Sequence, residues 1–137
     1  MLCMSKHTFI ALATGISEKL GVQYGSKEHT RLIEACDHMY KDFQDILEDD
    51  GILLYPTHPT AAPYHNEPVF KPLNFAYTAI INVLGFPATH IPLGLNTKGL
   101  PIGIQAVGGM NKDHQCLAVA CELEKAFGGW VPPSISV

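Results

Sequence analysis

Two apolar runs separated by a turn leave this chain few folds to choose from. Residues 88–93 and 101–107 are nearly free of charged side chains, and between them 94–99 reads Gly-Leu-Asn-Thr-Lys-Gly. Glycine and asparagine in such a segment favour a hairpin-like reversal. A half-exposed strand alternates apolar with polar residues. Neither run alternates cleanly, so both are expected to be covered on both faces, as in a sheet layered between helices. A helix stands just before them. Ala76, Ile80, Val83 and Leu84 recur at helical spacing, with Asn74 placed to cap the start and Gly85 to end it in a left-handed turn. Pro87 then keeps the helix from resuming.

The rest of the chain supplies more helices and one more strand. Phe9, Leu12, Ala13, Ile16 and Leu20 share a side of a helix over 5–20, which suits either packing or a membrane-facing surface. Ser26 is an N-cap candidate for the strongest helix, 27–48. There Leu32, Ile33, Cys36, Met39, Tyr40, Phe43, Ile46 and Leu47 form a continuous apolar stripe. Asp49, Asp50 and Gly51 end it. The short run 52–55 reads as a buried strand, expected to lie parallel to its neighbours because a long helix leads into it. Asp113 is placed to cap a last helix, with Cys116, Val119, Ala120, Leu123 and Phe127 on one face. Gly128 and Gly129 stop it, and Trp130 is expected to cover an edge of the core.

Between the second and third helices, Pro56, Pro59, Pro63, Pro68 and Pro72 exclude regular helix or central strand. A long irregular segment in a compact protein is usually functional or covered by its neighbours. With 137 residues and no linker or repeat, the chain reads as a single segment, 1–137, without an internal boundary.

Composition narrows the function classes. Apolar content of 47% argues against disorder, and a net charge of −4 without a basic stripe argues against nucleic acid as partner. Four cysteines without a CxxC pair suit reduced thiols of an intracellular protein. Seven histidines fall outside any HExxH spacing, and residues 21–27 miss the phosphate-loop pattern. No metal or other cofactor is expected. No stretch is long and apolar enough to span a membrane.

The central block also carries a resemblance. Thr78, Asn82, Gly85, Pro87, Ala88, Pro92, Gly94, Leu100, Pro101, Gly103 and Gln105 stand as in the C-terminal block of the amidase-signature hydrolases. LLYPTHPTAAPYHNEP upstream and LEKAFGGWVPP downstream extend the likeness over nearly the whole chain, in detail nearest the fatty-acid amide hydrolase 2-like members. The resemblance implies an α/β class: the C-terminal portion of the amidase-signature α/β/α fold, a mixed sheet flanked by helices, incomplete as a stand-alone domain. It also implies hydrolysis of fatty-acid amides to fatty acid and amine by a Ser-Ser-Lys centre in a Gly/Ser-rich loop.

That loop has no counterpart here. None of Ser5, Ser17, Ser26, Ser134 and Ser136 lies in a GxSxG or Gly-Gly-Ser-Ser context, and no SxxK occurs. No catalytic residue is therefore expected in this chain. Its expected contribution is scaffold and acyl-pocket surface, with Phe75 and Ala79, one helical turn apart, and Phe70 as substrate-contacting candidates. Asn82 is expected to bond a neighbouring loop, and Gln105 to be hydrogen-bonded if buried. His58 and His65, in the proline-rich loop, are read as structural or surface residues.

The partners implied are a fatty-acid amide in the complete protein and the missing N-terminal amidase portion, or a partner chain, covering the sheet edge. Membrane association would then come from outside this chain. The competing reading is a non-catalytic, truncated lipid-binding or interaction protein. A lone piece of a sheet leaves ladder groups unpaired and apolar faces wet, so marginal folding or aggregation is expected of the isolated chain.

Overall fold

The computed structural model describes residues 9–132. Contacts within the chain fall into two compact units, one ending at His38 and the other beginning at Met39. The first unit holds helix α1 (Phe9–Leu20) and the opening turns of α2 (Lys27–Leu47). Ser26 caps α2 as expected. Its Oγ accepts the His29 N–H at 3.1 Å, satisfying one of the donors a helix start leaves over.

The second unit begins in the last turns of α2. Glu48 turns to a positive φ of 47°, and the Gly51 N–H donates to the Leu47 carbonyl at 2.7 Å. This closure needs glycine, because a Cβ at 51 would collide with the Leu47 carbonyl oxygen. Gly51→Ala is expected to cost about 1–3 kcal/mol, read as a lower urea midpoint with an unchanged slope.

Three strands follow: β1 (Ile52–Pro56), β2 (Ala88–Leu95) and β3 (Pro101–Gly108). They form one sheet in the order β1-β3-β2, and both pairings are antiparallel. Among the described residues the parallel neighbour expected for 52–55 is not there. A crossover does join two strands running the same way, through α3 (Glu67–Phe70), a 3-10 turn (Pro72–Phe75) and α4 (Ala76–Leu84). Those strands are β1 and β2, and the hairpin from β2 lays β3 into the gap between them. The helix-before-strand signal reports strand direction and carries no information about which strand lies alongside.

The hairpin tip is organised by Asn96. Its Oδ1 accepts from the Lys98 and Leu100 N–H groups at 2.8 and 3.0 Å, while Gly99 takes a positive φ of 75°.

Register sorts side chains between two layers. Leu53 and Tyr55 stand opposite Val107 and Gln105, and Ala88 and His90 oppose the same two residues from the other side. This face builds the main core. Leu47, Ile81, Leu84, Phe86 and Val107 are buried, with Tyr40, Phe43, Leu53, Tyr55 and Ile80 against them. Phe86 stacks on Tyr40 and Phe43 at centroid distances of 5.0 and 5.8 Å.

The opposite face is covered over β2 and β3 by α5 (Asp113–Phe127), where Ile91, Ala106 and Cys116 are buried. Helices on both faces of the sheet give the α/β/α layering expected. The described sheet itself is antiparallel throughout.

Two expected caps sit elsewhere. Asn74 falls inside the 3-10 turn, which Pro72 starts earlier than helical periodicity suggests, and α4 continues from Phe75 without a side-chain cap. Asp113 is the first residue of α5, where its charge favours the helix start, and Lys112 stands at the cap position without a side-chain capping bond, its ammonium lying 3.6 Å from Asp50 instead. The glycine stops hold. Gly85 and Gly128 take φ of 76° and 83° and donate to Ile81 and Glu124.

The Cys116 thiol is close to the Pro87 carbonyl (3.6 Å) and meets the space that a Cβ at Gly108 would fill. Burial, opposed by a backbone hydrogen bond from Gly108 and aided by the Asp113 charge, pushes its pKa up. The raised value makes the neutral thiol the folded form. The stability it contributes is full below the unfolded thiol's range, about 8.5, and falls as pH rises beyond it. At pH 8 iodoacetamide is expected to modify exposed Cys121 well before buried Cys116, with peptide mapping as the readout.

Among the described residues no helix is long and apolar enough to cross a membrane.

Candidate functional site

Beyond β1 the proline-rich loop is held by its own polar groups. The His58 ring nitrogen Nδ1 lies 2.8 Å from the Thr60 carbonyl and 3.3 Å from the Thr60 N–H. Further on, Glu67 accepts from the Tyr64 N–H at 3.1 Å and from Lys71 Nζ at 2.6 Å. The Lys71 hydrogen bond first, then the Tyr64 N–H, holds the Glu67 carboxyl below its ordinary pKa. His65 is exposed.

One buried polar side chain ties this loop to the scaffold. Gln105 is 4% exposed, and its Nε2 donates to the Pro56 carbonyl at 3.1 Å and the Tyr77 carbonyl at 3.0 Å. A single amide on β3 thus joins the end of β1 to α4. The expectation that Gln105 would be hydrogen-bonded is met, through both protons of its amide nitrogen.

The next residue along the loop reaches across the sheet. Thr57 Oγ1 lies 2.8 Å from Nδ1 of His90 on β2, across the intervening strand β3. Gly103 makes this possible, since a Cβ there would come within 2.6 Å of His90 Cε1. The pair lines an open cleft of about 520 Å³ walled by Pro59, Pro92, Ile102 and Trp130. A second cleft, about 550 Å³, shares Thr60, Ala61 and Ala62 and is lined also by Glu67, Asn96 and Lys98.

Trp130, expected over a core edge, is instead 65% exposed on the first cleft's wall, because two positive-φ glycines turn the chain out of α5 before it. Gly103→Ala is expected to drive the His90 ring off Thr57, read as a changed His90 imidazole shift in NMR.

A hydroxyl on an imidazole is the beginning of a nucleophile–base pair, yet among the described residues the His90 ring has no carboxylate as a hydrogen-bond partner. What the cleft offers is a polar floor between apolar walls. Among the described residues no cluster of three or more His, Cys, Asp or Glu side chains is arranged to hold a metal ion. Sequence reasoning considered the loop histidines and passed over His90, which sits inside an apolar run. The polar exception within that run was the available signal.

The three residues singled out for substrate contact lie elsewhere. Phe70 ends α3 and is 84% exposed; Phe75 ends the 3-10 turn and is 62% exposed; Ala79 is half-buried one turn further along. None of them lines either cleft. With Val69 and Leu73, also exposed, they make successive short turns rich in wet apolar side chains. Asn82 bonds within its own helix, Nδ2 to the Thr78 carbonyl at 3.2 Å, rather than to a neighbouring loop. A mid-helix amide finds its own i−4 carbonyl before a distant partner.

Comparison with known proteins supplies the frame for these surfaces. A family model described as Amidase matches residues 10–117. The chain is similar to fatty-acid amide hydrolase 2 of Homo sapiens, 46% identical over 132 residues, which is 96% of this chain and 25% of that protein. Fatty-acid amide hydrolase 2-B of Danio rerio is 44% identical over 131 residues, 96% of this chain and 24% of that one. The chain thus spans about a quarter of the length of these relatives. Among solved structures, a glutamyl-tRNA(Gln) amidotransferase subunit from Thermotoga maritima superposes with a TM-score of 0.66 at 22% identity. That match covers 93% of this chain and 34% of the other, and it shows a shared fold.

Proposed function

Because this chain belongs to the amidase family, we propose that it is the C-terminal part of a fatty-acid amide hydrolase 2-like serine amidase. The complete enzyme hydrolyses fatty-acid amides to fatty acid and amine. Its Ser-Ser-Lys centre lies in the portion that precedes this one in the family's order and forms the acyl-enzyme. This chain contributes scaffold and acyl-pocket surface, and no cofactor takes part. The reading is carried by the 46% identity to a fatty-acid amide hydrolase 2 across 132 residues.

The exposed aromatic rings support the pocket role. Phe70 and Phe75 point large apolar surfaces at water, an arrangement that makes sense when something apolar covers them. In the assembled enzyme Phe75 and Ala79 contact the acyl chain, with Phe70 at its margin. Membrane association, where it occurs, belongs to the complete protein, inside the cell.

The test is co-expression of the 137-residue chain with the preceding portion of human fatty-acid amide hydrolase 2, followed by an oleamide assay. Turnover by the pair and by neither part alone is the expected result; an inactive, non-associating pair would overturn it. In the active pair, Phe75→Asp is expected to lower kcat/KM for a long-chain amide by about 30-fold, with much less effect on a short-chain one.

The same exposed rings favour one other reading, a non-catalytic lipid-binding protein. Saturable binding of a fluorescent fatty acid by the isolated chain, lost in Phe75→Asp, would select it.

A further inference from the structure

The Thr57–His90 pair holds more donors than its own contact uses. A threonine hydroxyl and a neutral imidazole bring one proton each, and the 2.8 Å contact through Nδ1 takes up one of them. If the hydroxyl donates, the other proton stands on Nε2. If Nδ1 donates, it stands on Thr57 Oγ1. In both arrangements one donor is left for a ligand. Nε2 lies over Gly103, where an added Cβ would come within 2.8 Å of it, and Gly103 itself lines the first cleft.

The surroundings say which acceptor suits that donor. Among the described residues no Asp or Glu lines this cleft, and its other titratable side chain, His58, is turned onto Thr60 of its own loop. The loop's one carboxylate, Glu67, lines the second cleft and is held by Lys71. An anion in the first cleft therefore meets no carboxylate on the described walls. It also favours the charged form of an adjacent imidazole. Nδ1–H then donates to Thr57, which leaves Nε2–H and the Thr57 hydroxyl as two donors for the two oxygens of one carboxylate.

The walls set the rest of the ligand. Pro59, Pro92, Ile102 and the Trp130 indole are apolar, and about 520 Å³ is room for a small organic molecule. We propose that this cleft binds a monocarboxylic acid with a short apolar body, its carboxylate on Thr57 and His90 and its body against Trp130. The site is made of side chains of this chain alone, so the proposal stands apart from the amidase reading.

Trp130 is the chain's one tryptophan, so its emission reads this cleft. Octanoate titrated into the 137-residue chain is expected to change that emission saturably, with half-saturation at about 1 mM. Octanamide keeps the body and loses the charge, and is expected to bind at least about tenfold more weakly. His90→Phe and Thr57→Val are each expected to weaken octanoate binding about tenfold or more. Thr57→Ser keeps the hydroxyl and is expected to bind as the native chain does, so a loss in Thr57→Val alone is a loss of the hydroxyl and not of the fold. Emission that does not respond to octanoate overturns the proposal. So does an amide that binds as well as the acid, or undiminished binding by Thr57→Val.

Discussion

Treated with a fluorophosphonate, the isolated chain is expected to remain unlabelled, and it is expected to turn over no oleamide. The reason is the state of its hydroxyls. Ser17 Oγ donates to the Thr14 carbonyl of its own helix at 2.8 Å, and Ser26 Oγ is occupied as a helix cap. Each is engaged with local backbone, and among the described residues neither has a histidine, lysine or carboxylate side chain on its hydroxyl to take a proton. Ser5, Ser134 and Ser136 lie outside the described residues, and their sequence contexts lack a nucleophile motif. A hydroxyl without a base and oxyanion donors forgoes on the order of 10⁶-fold in rate. With the preceding amidase portion present, labelling is expected on that polypeptide alone. A labelled band at the mass of this chain, lost on replacing one of its own serines, would defeat the proposed division of labour.

The largest effect on stability is expected at Gln105. Its amide nitrogen is the donor to both the Pro56 and Tyr77 carbonyls, which belong to different elements. Gln105→Leu keeps roughly the volume and removes both bonds, at a cost of about 2–4 kcal/mol. Gln105→Glu is expected to be worse near neutral pH, since a carboxylate would face two carbonyl oxygens with nothing to donate. Protonation restores one donor, so that variant is expected to recover part of its stability as pH falls. Urea midpoints at about pH 5 and about pH 7.5 measure both effects. Equal midpoints for the native chain and Gln105→Leu would mean that β1 and α4 are held together by packing alone.

The Gln105 bonds also bear on the cleft. Thr57 follows Pro56 directly, so freeing the Pro56 carbonyl loosens the hydroxyl that meets His90 at 2.8 Å. The His90 imidazole signal in Gln105→Leu therefore reports on the same contact that Gly103→Ala disturbs from below. Agreement between the two variants would tie the buried amide to the cleft rather than to bulk stability.

What could be read from the chain itself was whatever depends on neighbours a few residues apart. Helix periodicity, the Ser26 cap, the left-handed stops at Gly85 and Gly128 and the Asn96 turn are all satisfied locally, within one or two helical turns. The amidase resemblance belongs with them, because it rests on residue types at fixed spacing. Even here, local reading erred where two signals competed, as when Pro72 opened a turn ahead of Asn74.

Tertiary structure decided the rest. It laid β3 between β1 and β2, brought Thr57 and His90 together over Gly103, and left Phe70 and Phe75 in water. Each of these follows from pairing between residues tens of positions apart. A strand's sequence states which side chains share a face, while its neighbour and register are fixed by the collective fit of the whole sheet.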